Sequence, residues 1–196
     1  MEHEKLQDRI AAGPEPAASG VPSPRGGPVS RRLLRLEIPV FPERLMFRLH
    51  DPIADLDAPG GPVPPVDSLI STGRDQLIVS CAQEHLGVQL TIEEWDDAPP
   101  PFSDGYEDEA KCVLYLRGQF SIDTGTAAFR AVDALRLSGG VGDYGVRIYT
   151  RNRVAALQRY AELFQQFSDP LSDDFQQARK RLEGMEQYLL QLWRES

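Results

Sequence analysis

Short runs in which apolar and polar residues alternate occupy most of the chain between residues 34 and 149. Alternation puts every second side chain on the same face, which is the pattern of a strand with one buried face. Many short strands separated by turn residues predict a mainly β protein with an antiparallel β-sandwich. The runs are 34–40, 45–49, 69–71, 76–82, 88–92, 112–116, 120–122, 131–137 and 144–149.

The spacing of the apolar residues changes after residue 150. They then recur three or four positions apart, as on one face of a helix. This predicts helices over 153–167 and 171–184, which form a C-terminal helical hairpin insert (153–185). The insert is interpreted as a cover over one face of the sandwich, or as a surface for docking an acidic partner or for self-association. The sequence does not fix whether it packs on the sandwich or projects from it. The run Tyr188 to Trp193 predicts a closing strand, with a continuation of the second helix as the alternative. The apolar helical positions are Val154, Leu157, Ala161, Phe164, Leu171, Phe175, Ala178 and Leu182.

Glycine and proline mark the segments predicted to lie outside strands and helices. Residues 11–30 hold five Pro and four Gly and almost no residue able to enter a core. Such a composition cannot offset the entropy of ordering, so we predict a disordered N-terminal arm over 1–30 and one domain over 31–196. The glycine-rich segment 138–143 predicts a turn.

The charge of the chain is negative and unevenly distributed. The 196 residues have a net charge of −9, which opposes direct binding to nucleic acid. Residues 51–110 contain fourteen acidic residues and one basic residue, Arg74, a local net of 1 − 14 = −13. The rest of the chain has 16 acids and 20 bases, a net of +4. This asymmetry points to a basic protein partner.

Neither a membrane segment nor a secretory signal is predicted. No apolar run reaches the roughly 18 residues that cross a bilayer, and the N-terminus is too polar for a signal peptide. We therefore predict a cytoplasmic protein that makes no contact with a membrane. Cys81 and Cys112 are expected to be reduced thiols in predicted strands.

Catalytic and metal-binding motifs are not found in the sequence. His3, His50 and His85 have no cysteine, carboxylate or second histidine at metal-ligand spacing. No Gly-x-Ser-x-Gly nucleophile motif occurs. The glycines of 139–142 lack the Lys-Ser/Thr of a phosphate-binding loop and precede a predicted strand, so a hairpin turn explains them. The chain is predicted to be non-enzymatic, without metal or cofactor.

An acidic region between residues 93 and 109 is the main candidate for function. It contains eight carboxylates and no basic residue, with three aromatic residues among them. It is interpreted as a solvated loop, as a protein-binding epitope with aromatic anchors, or as a calcium site, which lacks the spacing of an EF-hand. Trp95 can alternatively fold back over the core. The predicted partner-binding residues are Glu93, Glu94, Trp95, Asp96, Asp97, Phe102, Asp104, Tyr106, Glu107, Asp108 and Glu109.

One segment of the sequence resembles a known family. Residues 142–151, GDYGVRIYTR, resemble the Gly-x-Tyr-x-Val-Arg-Val-x-x-Arg strand of a family of uncharacterised actinobacterial proteins, in which a strand ending in Gln-Leu-Trp follows. The segments 70–73 and 97–99 also fit that family. A more distant resemblance is to the competence nuclease inhibitors, small acidic β-sandwich proteins that bind and block a DNA-degrading enzyme. This resemblance implies a nuclease as the partner. The helical insert and the N-terminal arm depart from the pattern.

Three functional hypotheses follow from these features. The first is a protein–protein interaction module, in its specific form an inhibitor or immunity-like protein, which binds a basic partner through the acidic region. The second is a structural or assembly component that oligomerises through the helical insert and the N-terminal arm. The third is an enzyme whose site is assembled from scattered residues. The sequence does not fix the oligomeric state.

Overall fold

Eight strands and two helices follow one another in the order β1 to β7, α1, α2 and β8. This order is seen in a computed structural model, which describes residues 30–57, 61–63, 68–102, 105–124 and 130–196. The helices are α1 (Arg153–Gln166) and α2 (Asp173–Lys180). The strands are β1 (Arg32–Val40), β2 (Met46–His50), β3 (Ile70–Thr72), β4 (Gln76–Ser80), β5 (Val88–Trp95), β6 (Asp108–Asp123), β7 (Arg130–Arg151) and β8 (Gln187–Arg194).

All eight strands belong to one sheet, in the order β1-β5-β8-β7-β6-β2-β4-β3. Every neighbouring pair is antiparallel except β5 and β8, which run parallel. The predicted mainly β, antiparallel fold with helices near the C-terminus is confirmed. The closing strand is also confirmed as β8, and the alternative of a continued helix is wrong.

The long strands β6 and β7 allow this single sheet to form two layers. Their register shifts between Arg117 and Gln119, where β6 bulges. Gly118 and Gly140 have positive φ angles of 81° and 71° at this point, a conformation that glycine adopts without steric cost. The turn predicted over 138–143 is therefore wrong, because its glycines bend a continuous strand. For the same reason 112–116 and 120–122 are parts of one strand.

The inner faces of the two halves pack against each other around one hydrophobic core. The Phe47 ring of β2 meets the Tyr188 ring of β8 edge-on at 5.2 Å, although these strands are not neighbours in the sheet. The Tyr188 hydroxyl donates to the carbonyl of Ser80 at 2.8 Å. The largest fully buried side chains include Tyr144, Phe120, Leu49, Leu77, Leu90, Ile92, Leu114, Leu116, Ile122 and Ile148.

The helical segment packs beside the connection between β4 and β5. Arg153, at the start of α1, donates to the carbonyl of Ser80 at 3.3 Å, and Tyr160 stacks on His85 at 5.5 Å. α2 begins at a Ser172 cap, whose hydroxyl accepts a hydrogen bond from the amide of Phe175 at 3.3 Å. Both helices are shorter than predicted but lie within the predicted ranges.

Three further expectations concern the two cysteines, the N-terminal arm and membrane-spanning segments. Cys81 and Cys112 are both free. Residues 1–29, almost all of the predicted arm, lie outside the described residues. Among the described helices, none is long and apolar enough to span a membrane.

Candidate functional site

Three side chains of β7 hold the acidic loop (described residues 96–102 and 105–107) along the outer face of the sheet. Arg147 donates to the carbonyl of Pro99 at 3.0 Å. The Tyr149 hydroxyl accepts the amide of Phe102 at 2.9 Å, and Arg151 donates to the carbonyl of Gly105 at 2.9 Å. Because these residues alternate along a strand, they all point to the same side. The loop therefore follows β7 with regular anchor points.

Trp193 supports the anchor at Arg147. The Arg147 guanidinium lies 5.3 Å from the Trp193 ring centroid, in cation–π geometry. The indole covers Gly145 so closely that a Cβ atom there would overlap its ring. Arg147 is 7% exposed and its Nε lies 3.5 Å from a carboxylate oxygen of Glu109. The base of the acidic loop is thus a small packed layer outside the main core.

The aromatic residues of the loop pack together over this layer. The rings of Phe102 and Tyr106 meet edge-on at 5.3 Å, and Tyr106 lies 5.5 Å from Tyr149. The Arg151 guanidinium lies 4.7 Å from the Tyr106 ring centroid. Phe102 nevertheless stays 44% exposed. Of the aromatic anchors predicted from sequence, Phe102 is the one that offers substantial apolar surface to a partner.

The carboxylates of Glu93 and Glu94 accept hydrogen bonds from other parts of the protein, and the two residues are only 3% and 2% exposed. Glu93 accepts hydrogen bonds from Arg32, Arg35 at 2.9 Å, and the Trp95 indole at 3.0 Å. It also accepts the Gln191 amide at 3.0 Å. Burial acts to raise the pKa of Glu93, but the hydrogen bonds from Gln191, Arg32 and Trp95 outweigh it and hold that pKa below its ordinary value.

Glu94 faces the opposite side of β5 and stabilises the bend in β7. Its carboxylate accepts the amide of Ser138, the Ser138 hydroxyl at 3.1 Å and the amide of Gly139 at 3.3 Å. These amides have no ladder partner where the strand bends, so Glu94 satisfies them. Both glutamates therefore have structural roles, and we leave them out of the candidate binding surface.

The remaining acidic residues form two exposed groups. Asp96 and Asp97 follow Trp95. Trp95 pairs with Trp193 of β8, and Trp193 pairs in turn with Gly145 of β7. The second group is Glu107, Asp108 and Glu109, and Asp108 pairs with Thr150. Gly145 and Thr150 are five residues apart on β7, so the two groups are offset by roughly 17 Å along the strand direction, at about 3.4 Å per residue. Asp104 lies outside the described residues.

The exposed carboxylates differ in how far they are neutralised. Asp96 lies 3.7 Å from Arg31, and Glu109 lies 2.9 Å from Lys111. Asp108 lies 3.7 Å from Arg153. Asp97 accepts a hydrogen bond from the neighbouring amide of Ala98, at 2.7 Å. Within the described part of the chain, neither Asp97 nor Glu107 forms an ion pair, so their charges are available to a partner.

A cleft of about 330 Å³ opens beside the second acidic group. Its floor is formed by outward side chains of β5 and β8, and its walls by β1 and the end of the acidic loop. The lining residues are Arg35, Glu37, Gln89, Thr91, Phe102, Tyr106, Arg151, Gln187 and Leu189. The described residues contain no group of three or more His, Cys, Asp or Glu side chains placed to hold a metal ion.

Sequence reasoning missed Arg147, Tyr149 and Arg151 as site residues. They fall in the segment that carries the family resemblance, at alternate positions of a strand whose other face is core. An internal strand with large side chains on both faces needs a cover on each face. That signal was present in the sequence, but the segment able to supply the cover was not evident.

Replacing Tyr149 with Phe is expected to free the Phe102 amide while leaving the ring packing intact. The change removes the hydroxyl that accepts this amide, at a cost of about 1 kcal/mol. Hydrogen exchange at Phe102, followed by NMR, should accelerate about fivefold or more. Tyr115→Phe is the control, because Tyr115 lies on β6 away from the loop. Equal exchange in wild type and Y149F would contradict the anchoring of the loop.

The sequence matches no known protein-family model, and no curated protein is significantly similar to it. Two solved structures are similar in fold. One is ComJ from Bacillus subtilis, the inhibitor of the DNA-degrading activity of NucA, with a TM-score of 0.46 and 10% identity over 85% of this chain and 99% of that chain. The other is described as Crocagin biosynthetic gene J, with a TM-score of 0.47 and 12% identity over 86% and 99%. Neither likeness assigns a role to a residue.

Proposed function

We propose that this protein is a non-enzymatic interaction module that binds a basic protein surface through the acidic loop. The observation that carries the proposal concerns Asp97 and Glu107, two exposed carboxylates that form no ion pair among the described residues. They lie on a loop that Arg147, Tyr149 and Arg151 hold in place. A loop that is already ordered loses little entropy on binding, so little of the electrostatic attraction of its carboxylates is offset by an ordering cost. Its charges also accelerate the encounter with a cationic partner.

The dimensions of the acidic loop suit one protein interface. The two acidic groups are offset by roughly 17 Å along the strand direction, which is within the span of a standard interface of about 800 Å² per partner. Phe102 lies on the same loop and is 44% exposed. An apolar aromatic residue flanked by carboxylates supplies a central contact with a charged rim.

In its specific form, the proposal makes the protein an inhibitor or immunity-like protein whose partner is a nuclease. An enzyme that grips nucleic acid carries a cationic groove for phosphate. Carboxylates on a rigid loop can occupy such a groove and exclude the substrate. The chain itself, with a net charge of −9, is not attracted to nucleic acid.

Charge reversal at Asp97 and Glu107 tests the proposal. The double variant D97K/E107K is expected to lose a basic protein that wild type captures from a lysate of the native host. High salt should weaken the wild-type capture as well, because exposed charges are screened. The control is E84K/E183K, which makes the same change in net charge at two exposed glutamates outside the acidic loop.

Mass spectrometry of the captured proteins gives the decisive comparison. A basic protein retained by wild type and E84K/E183K and lost by D97K/E107K supports the proposal, and a nuclease in that set supports the inhibitor form. Equal capture by all three proteins, or no basic protein in the wild-type sample, contradicts it.

A further inference from the structure

A buried polar cluster joins β8 to the connection between β4 and β5. Glu186 and Tyr188, at its centre, are both 1% exposed. One carboxyl oxygen of Glu186 accepts the amide of Ala82 at 2.8 Å, and the other lies 3.5 Å from the side-chain amide of Gln83. Carboxyl groups are rarely buried to this extent, because an ionised one loses its hydration. The protonation state of Glu186 therefore decides how the cluster is held together.

The contacts of the Tyr188 hydroxyl need more protons than that hydroxyl provides. Its oxygen lies 2.8 Å from the carbonyl oxygen of Ser80 and 2.5 Å from a carboxyl oxygen of Glu186. A carbonyl oxygen and an ionised carboxylate can only accept hydrogen bonds, and a phenol has one proton to donate. Both contacts are hydrogen bonds only if Glu186 carries a proton, which it donates to Tyr188 while Tyr188 donates to Ser80.

The surroundings of Glu186 favour the neutral carboxyl group. Burial raises its pKa above the ordinary value of 4.5, and this outweighs the nearby hydrogen-bond donors and the charge of Arg153, which act to lower it. Arg153 is the charged group that faces Glu186, with its Nε atom 3.7 Å away. Cys81, the first residue after β4, stays a neutral thiol beside it, because burial also raises the pKa of this cysteine.

Arg153 links Glu186 to the second acidic group. Its guanidinium also lies 3.7 Å from Asp108. While Glu186 is neutral, Asp108 is the carboxylate with which Arg153 pairs among the described residues. An ionised Glu186 would compete for the same guanidinium from a drier position, where the attraction between opposite charges is stronger. The proton on Glu186 therefore affects how far the charge of Asp108 is neutralised.

We propose that Glu186 is protonated in the folded protein at pH 7 and acts as a pH-sensitive switch. The neutral carboxyl group completes the chain of hydrogen bonds from Glu186 through Tyr188 to Ser80. Loss of the proton breaks this chain and draws Arg153 from Asp108 towards Glu186. An effect on partner binding through Asp108 rests on the proposed function, whereas the protonation of Glu186 does not.

Carbon-13 NMR of the side-chain carboxyl groups tests the protonation state in the full chain, without a partner. The Glu186 signal, assigned through its backbone, should keep the shift of a neutral carboxyl group at pH 7 and move only at higher pH. A signal that has already reached the carboxylate shift at pH 7 overturns the inference. Because no partner is present, this outcome is separate from that of the capture experiment.

Replacing Tyr188 with Phe tests the direction of the hydrogen bond. The change removes the acceptor of the Glu186 proton, so the pKa of Glu186 should become lower than in wild type. If Tyr188 instead donates to an ionised Glu186, its removal raises that pKa, which overturns the inference. Tyr144→Phe is the matched control, because Tyr144 is a buried tyrosine whose hydroxyl donates to the carbonyl of Gly140.

The carboxyl signal of Asp108 tests the link through Arg153. It should show a further shift at the pH at which Glu186 ionises, because Arg153 then moves away from Asp108. Glu186→Gln should abolish this shift, and Glu183→Gln, at an exposed position, should leave it unchanged. An Asp108 signal that does not respond to the ionisation of Glu186 overturns the switch.

Discussion

Replacing Glu93 with Gln is expected to destabilise the protein by about 3 kcal/mol at pH 7. The buried carboxylate receives hydrogen bonds from Arg32, Arg35, Trp95 and Gln191, which join β1, β5 and β8. A glutamine keeps one oxygen that can accept these hydrogen bonds. In place of the second oxygen it has an amide NH2 group, which cannot accept a hydrogen bond from the remaining donors. Chemical denaturation of wild type and E93Q measures the difference in the free energy of unfolding.

The destabilisation by E93Q should depend on pH in one direction. The pKa of Glu93 is lower in the folded protein than the ordinary value of 4.5. Its contribution is therefore fully present above about pH 4.5 and is lost as the pH falls through the lower, folded value. The gap between wild type and E93Q should narrow over that range. A gap that is the same at every pH would contradict the role assigned to the charge.

Glu37→Gln is the matched control for E93Q. Glu37 also binds Arg35, at 2.7 Å, but its side chain is 53% exposed. An exposed ion pair contributes little, so this change should cost less than about 1 kcal/mol. The comparison separates the effect of a buried, fully bonded carboxylate from that of any acidic residue beside Arg35. Equal effects of the two substitutions would mean that burial is not the cause.

Replacing Gly145 with Ala is expected to cost about 2–3 kcal/mol. The new methyl group would overlap the Trp193 ring and the Glu195 carboxylate. Relief requires Trp193 to move, which also disturbs the Arg147 guanidinium that packs on it. Thermal denaturation measures the cost, and a shift in tryptophan fluorescence reports the displaced ring.

Gly140→Ala is the comparison for G145A, because it adds the same methyl group at a position where that group meets no other atom. No atom lies within 4 Å of the Cβ position at Gly140, but its φ of 71° is unfavourable for alanine. The expected cost is about 1 kcal/mol, from the backbone alone. G145A should therefore be the more damaging of the two. The reverse order would contradict the close packing of Trp193 over β7.

Most of the strands could be predicted from the sequence, because apolar and polar residues alternate regularly in their central parts. The run at 88–92 became β5, and the run at 188–193 became β8. The sequence could not show that β6 and β7 continue through glycine-rich segments, since glycine marks turns and bulges alike. The apolar spacing after residue 150 predicted both helices, but periodicity identifies an apolar face without showing what it packs against.

The candidate site was predicted only in outline. The exposed positions of Asp97, Phe102 and Glu107 agree with an interaction surface, but their binding role stays a prediction. Glu93 and Glu94 carry the same charge in the sequence and lie next to one another. Both are buried near the end of β5, because Glu93 is covered by Gln191 and its other donors and Glu94 lies against the bend in β7. Charge counts alone could not separate these two uses of a carboxylate.

Site-specific photo-cross-linking at Phe102 tests the central claim most directly. A benzoylphenylalanine at this position keeps an aromatic side chain on the exposed part of the acidic loop, and the same group at Ile53 is the control. The claim predicts that irradiation in the native host joins position 102, but not position 53, to a basic protein. No cross-link at position 102, or the same products from both positions, would contradict it.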